Sequence, residues 1–110
     1  MGVPVLVEIG RTSDIPEGEV RKFVANRIEV AVANLGDGTF LAVDDCCSHA
    51  EASLSEGEVD VDDETIECPR HGSTFDLPTG KPRSLPATAP VLTFPVKVEG
   101  DSILIELEDR

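Results

Sequence analysis

Apolar and polar positions along the chain alternate in short runs. Val3 to Ile9 is apolar-rich and β-branched, ends at Gly10, and reads as a first strand. Ser13 to Glu19, with Pro16 and Gly18, has the composition of a turn. Val20 to Ala25 and Ile28 to Leu35 follow as strands, and Ile28, Val30 and Val32 alternate with Glu29, Ala31 and Ala33, which predicts one buried face. Asn34 to Thr39, containing Gly36-Asp37-Gly38, is a hairpin turn, and Phe40 to Val43 is the return strand. Val59 to Asp63 and Thr65 to Cys68 predict a short hairpin turning at Asp62-Asp63-Glu64. Val91 to Val98 and Ile103 to Leu107 predict another around Gly100-Asp101. No window keeps a helical period for long. The best helical candidate, Ala50 to Ser55, is stopped by Gly57 within two turns. The pattern predicts an all-β domain.

Length and charge narrow what such a domain does. At 110 residues the chain makes one domain, residues 1–110, too short to combine a cofactor site with a separate catalytic site. Four Phe and no Trp or Tyr leave Val, Ile, Leu and Ala to build the core. With 22 acidic against 9 basic residues the formal net charge is −13, which disfavours nucleic acid or an anionic membrane as partner and suits a basic protein surface. No segment reads as a signal peptide or membrane span, so the expected location is the cytoplasm.

The chemistry is concentrated between Cys47 and His71. Cys47-Ser48-His49 and Cys68-Pro69-Arg70-His71 hold both histidines and two of the three cysteines. Two thiolates and two imidazoles offered from two loops form a four-donor set for a metal centre. A structural zinc site also takes two Cys and two His, but favours a Cys-x-x-Cys knuckle and a helical His pair. Here each loop supplies one of each, with 18 residues between His49 and Cys68 (positions 50 to 67). That division suits a centre in which two thiolates hold one iron and two imidazoles the other. Cys46 stands outside the motifs and reads as an incidental thiol, although its spacing to His49 is also Cys-x-x-His.

At these residues the chain resembles the Rieske ferredoxin family, the more specific half being Cys68-Pro69-Arg70-His71-Gly72-Ser73-Thr74-Phe75-Asp76. Pro78-Thr79-Gly80 and Pro86-Ala87-Thr88-Ala89-Pro90 continue the likeness into a loop that, in the family, covers the cluster. The resemblance implies a Rieske fold, a β-sandwich base with a small cluster-binding subdomain at about residues 44–80. It also implies one [2Fe-2S] cluster per chain, ligated by Cys47, His49, Cys68 and His71, with the outer imidazole edges as the electron exit. High-potential members carry an extra cysteine in each ligand loop, joined as a disulfide; Ala52 and Arg70 occupy the matching positions, which fits the low-potential branch, and with two neutral imidazoles in place of thiolates the expected potential is toward the low end of the Rieske range, roughly −150 mV. Those members also use a serine and a tyrosine as hydrogen-bond donors to the cluster, and the matching residues here are Ser73 and Phe75.

The implied role is a monomeric one-electron carrier, not itself an enzyme, that takes electrons from a ferredoxin reductase and passes them to a terminal non-haem iron oxygenase. Other readings stay open: the small subunit of an assimilatory nitrite reductase, an electron donor to iron-sulfur cluster assembly, or a zinc-stabilised interaction module. Asp44, Asp45, Glu51, Glu56 and Glu67 flank the ligand loops and are expected to steer a basic docking face. Arg70, between two expected ligands, is a candidate partner contact.

Overall fold

The computed structural model describes residues 3–46, 52–70, 72–84 and 89–109. The strands are β1 (Val3–Arg11), β2 (Val20–Ala25), β3 (Ile28–Gly36), β4 (Thr39–Asp44), β5 (Val59–Asp60), β6 (Thr65–Glu67), β7 (Thr74–Asp76), β8 (Thr93–Phe94), β9 (Val96–Glu99) and β10 (Ser102–Asp109). They form three antiparallel sheets, ordered β1-β10-β9, β2-β3-β4-β8 and β5-β6-β7. The all-β expectation and its antiparallel hairpins are what the molecule shows.

The first two sheets enclose a core of Val30, Val32, Ala42, Ile103, Ile105 and Leu107 with Ile15 and Phe40. A second core gathers Ala31, Ala33 and Val43 from the opposite face of the β2-β3-β4-β8 sheet with Leu54, Ile66, Cys68, Phe75 and Leu77. Strand β3 is therefore buried on both sides, not on one as its alternation predicts. Its second face carries alanines where Leu54–Glu56 comes close to the strand and the β5-β6-β7 sheet adds Ile66 and Phe75 to the same core, and small side chains leave room for that approach.

Two further expectations change. The single strand Val91 to Val98 is instead two short ones, β8 pairing with β4 and β9 with β10. Pro95 sits at the break, where it has no N–H to donate while its carbonyl accepts from the Glu106 N–H at 3.0 Å. The helical candidate Ala50 to Ser55 is not a helix where it is described: Ala52 and Ser53 are non-helical, and Leu54–Glu56 makes one 3-10 turn. Gly57 closes that turn against β6. A Cβ there would collide with the Glu67 carbonyl, so the close approach of the two segments requires glycine. The strand β7 is an addition, since by sequence Thr74 to Asp76 belongs to the second loop.

Candidate metal centre

The segment that carries the first two expected ligands follows β4, and its stem is closed by hydrogen bonds. Asp45 N–H donates to the Glu29 carbonyl (3.0 Å), the Asp45 carbonyl accepts from Leu54 N–H (2.7 Å), and Asp45 Oδ1 accepts from Ser55 N–H (2.8 Å). Cys46 and Ser53 pair as an isolated bridge, and Asp44 Oδ1 accepts from Cys46 N–H at 2.9 Å. One aspartate thus joins both ends of the loop to β3. Cys47, His49 and Glu51 lie outside the described residues.

The second loop is a tight turn between β6 and β7. Cys68 N–H donates to the Ser73 carbonyl (2.7 Å), and the Cys68 carbonyl accepts from Gly72 N–H (3.1 Å), with Gly72 at φ +75° to complete the reversal. Cys68 is fully buried in the second core with Phe75, whereas Pro69 and Arg70, the next two residues, are exposed. Ser73 is also fully buried. His71 lies outside the described residues. Among the described residues no group of three or more His, Cys, Asp or Glu is placed to hold a metal ion, and of the four expected ligands Cys68 is the described one.

The two loops meet. Cys46, Ala52 and Ser53 of the first share a cleft with Pro69 and Arg70 of the second. Behind them the segment after β7 is tied back to that strand, with Arg83 N–H on the Thr74 carbonyl (2.7 Å), Asp76 N–H on the Lys81 carbonyl (2.8 Å) and Val91 N–H on the Gly80 carbonyl (2.9 Å). Those bonds hold both ends of the proline-containing loop, of which Ala89 and Pro90 are exposed and residues 86 to 88 lie outside the described ones. Cys68, buried at the base of one tight loop, shares its core with Ala52 and Leu54 at the closed stem of the other, a placement that fits a bridging cofactor.

Comparison with known proteins decides which cofactor. Residues 5–95 match the model of the Rieske [2Fe-2S] domain. The chain belongs to the Rieske [2Fe-2S] family. It is 47% identical over 97 residues to the 3-phenylpropionate/cinnamic acid dioxygenase ferredoxin subunit of Shigella boydii, covering 88% of this chain and 89% of that protein. The ferredoxin of carbazole 1,9a-dioxygenase from Nocardioides aromaticivorans superposes with a TM-score of 0.87 at 34% identity, over 92% of this chain and 96% of its own. A structure of reduced oxygenase with oxidised ferredoxin in carbazole 1,9a-dioxygenase matches with a TM-score of 0.82 at 37% identity, over 92% of both chains. This Rieske ferredoxin is accordingly an electron-transfer component, not a catalyst, with one [2Fe-2S] cluster per chain, and the zinc reading falls away. Among the described residues no helix is long and apolar enough to cross a membrane.

The acidic residues expected to ring the loops are dispersed by the fold. Asp45 is 1% exposed and serves the loop stem, so it is not a surface carboxylate. Glu56 lines the cleft shared by the two loops, while Glu67 lies in a different one with Glu58, Asp60 and Asp63. Glu29, distant from the ligand motifs in sequence, joins Glu56 at the first cleft because β3 runs beside the loop stem. The pairing of β3 with β4 was the signal that could have found it.

Proposed function

We propose that this ferredoxin takes one electron at a time from a ferredoxin reductase and delivers it to a terminal non-haem iron oxygenase. Cys47 and Cys68 would hold one iron and His49 and His71 the other, within a single domain whose cluster-binding part spans about residues 44–80. The bound cluster supplies reversible one-electron chemistry. The chain's own residues supply the rest: the Asp45 stem and the Cys68–Ser73 turn fix the two loops, and the second core keeps water from the Cys68 sulfur. The observation that carries this reading is the depth gradient at the second loop, where a fully buried cysteine lies directly beneath exposed Pro69 and Arg70. Such a site shields the redox centre yet leaves it within reach of a docked partner.

Relatives named as dioxygenase ferredoxin subunits, one of them solved with its oxygenase, support the choice of acceptor. The chain acts as a monomer in the cytoplasm on this reading. The test is an anaerobic titration of the iron-loaded protein with dithionite, expected to bleach the visible band at one electron per chain. The reduced protein is then mixed with the oxygenase component of an aromatic-ring dioxygenase and should be reoxidised. A reduced protein that stays reduced beside several such oxygenases would sink the proposed acceptor.

A further inference from the structure

Strand β7 has three residues, and a strand so short holds its place weakly when β6 alone pairs with it. Its other edge is covered by the residues that return after it, 81–84. Asp76 N–H donates to the Lys81 carbonyl (2.8 Å) and Arg83 N–H to the Thr74 carbonyl (2.7 Å), with Phe75 and Pro82 facing each other as an isolated bridge between those bonds. Pro82 has no N–H, so the outer edge of this strap offers no donor there. At Ser84 a side chain takes over from the backbone: the Ser84 hydroxyl accepts from Thr74 N–H at 2.9 Å and lies 3.1 Å from the Thr74 hydroxyl.

The other end of the strap is tied by Asp76, whose side chain is 19% exposed. One of its carboxylate oxygens accepts from Arg83 Nη1 at 3.2 Å and the other from the Thr79 hydroxyl at 2.7 Å. Arg83 also shares a cleft with the carboxylates of Glu58, Asp60, Asp63 and Glu67, whose combined field holds the guanidinium against the β5-β6-β7 sheet. Thr74, where the strap is fastened by Ser84, stands between two residues that bear on Cys68. Ser73 accepts the Cys68 N–H on its carbonyl at 2.7 Å, and Phe75 packs in the same core as Cys68.

We propose that Asp76, Arg83 and Ser84 are positioning residues: they lock the strap along β7 and, acting through Thr74, set the geometry of the turn that presents the Cys68 sulfur. The inference rests on the proposed ligand role of Cys68, which turns a change in that geometry into a change at the cluster. Arg83 and Ser84 are exposed, so removing their side chains costs the fold little and acts locally. Without the Ser84 hydroxyl, Thr74 N–H and the end of β7 are left to water, and the bond from Cys68 N–H to the Ser73 carbonyl opens more often.

Hydrogen exchange read by mass spectrometry over residues 66–76 of the oxidised, cluster-loaded protein measures the turn. The electron paramagnetic resonance spectrum and midpoint potential of the dithionite-reduced protein measure the cluster. Ser84→Ala changes no charge, so a shift it causes in spectrum or potential reports geometry. It should speed exchange about threefold or more over that segment and shift both the spectrum and the potential, with Ser84→Thr returning all three to wild type. Asp76→Asn keeps an acceptor for Thr79 but loses the ion pair, and should speed exchange in the same segment. Ser102→Ala, which removes a hydroxyl bonded to Glu8 at 2.9 Å on the other sheet, should leave every reading unchanged. Wild-type exchange in Ser84→Ala, or faster exchange with an unshifted spectrum and potential, would overturn the positioning role. Iron retained in Cys68→Ala would instead overturn the ligand reading and leave the exchange result standing, so the two failures are distinct.

Discussion

The two cores of this ferredoxin share strand β3 and differ in what they are built to do. On one side Val30 and Val32 face Ile103, Ile105 and Leu107, branched aliphatic side chains from long paired strands, with β1 and β10 in register over most of their length. On the other, Ala31 and Ala33 share a core with Ile66 and Phe75, from strands of three residues, with Leu54 of a 3-10 turn and with Cys68 of the loop after β6. Long ladders and branched aliphatics make the first core self-sufficient. The second has little ladder of its own and relies on turn hydrogen bonds and one required glycine, to which the proposed ligand set would add the cross-link of a cluster between its loops. Stability and redox function should therefore be separable by mutation.

The sharpest separation is at the ligands. Cys68→Ala, and likewise Ala at Cys47, His49 or His71, should remove essentially all iron and the visible absorbance, while the base core keeps the far-ultraviolet β signature. Cys46→Ala, at an exposed residue outside the second core, should retain both. Iron analysis with circular dichroism checks the pair; iron retained in Cys68→Ala would contradict the ligand set.

A cavity in the base core should act the other way. Ile105 is fully buried, so Ile105→Ala is expected to cost about 2–5 kcal/mol in denaturant unfolding while leaving iron content and potential at their wild-type values. Gly57→Ala places a methyl against the Glu67 carbonyl, and its cost, roughly 1–3 kcal/mol, falls on the cluster side. There the expected readout is faster loss of the visible band on mild heating, ahead of the loss of β structure. Simultaneous loss of both signals in Gly57→Ala would mean that the two cores unfold as one unit.

How far the sequence disclosed this division differs between the two sides. Period-two alternation and Gly-Asp turns located β2, β3, β4 and β10 closely, because these longer apolar-rich runs bounded by turn residues carry a strong local signal. The cluster side has strands too short for any period, so β7 hid within a ligand motif and Thr93 to Glu99 concealed a change of sheet at Pro95. The scarcity and spacing of Cys and His pointed to an iron-sulfur domain, which the family match shows; the ligand roles of those four residues are part of the proposal. What surrounds them was not legible: the burial of Asp45 and the arrival of Glu29 depend on β3–β4 pairing and on the loop stem, which no local pattern encodes. Ala31 and Ala33 looked like an outward face because small side chains carry little hydrophobic signal. Their smallness is instead what admits the second core.

The finest test of the comparison lies in the second core beside the buried cysteine. Ser73 and Phe75 are both fully buried and stand five and seven residues beyond Cys68, on the strand side of its turn. A donor to a cluster sulfur favours the reduced state, because that state carries the extra negative charge. Ser73 has such a donor and Phe75 lacks one. A full hydrogen bond to a charged group is worth roughly 1.5–3 kcal/mol, but the sulfur is negative in both redox states and only part of that energy distinguishes them. With about 59 mV per 1.4 kcal/mol for a one-electron couple, Phe75→Tyr should raise the potential by some tens of millivolts and Ser73→Ala should lower it by a similar amount. Voltammetry on both, at matched iron content and beside Ile105→Ala as the base-core control, reads the effect directly. An unchanged potential in Phe75→Tyr would place its ring edge away from the cluster and reduce Phe75 to packing alone, the role that Ile105 plays in the other core.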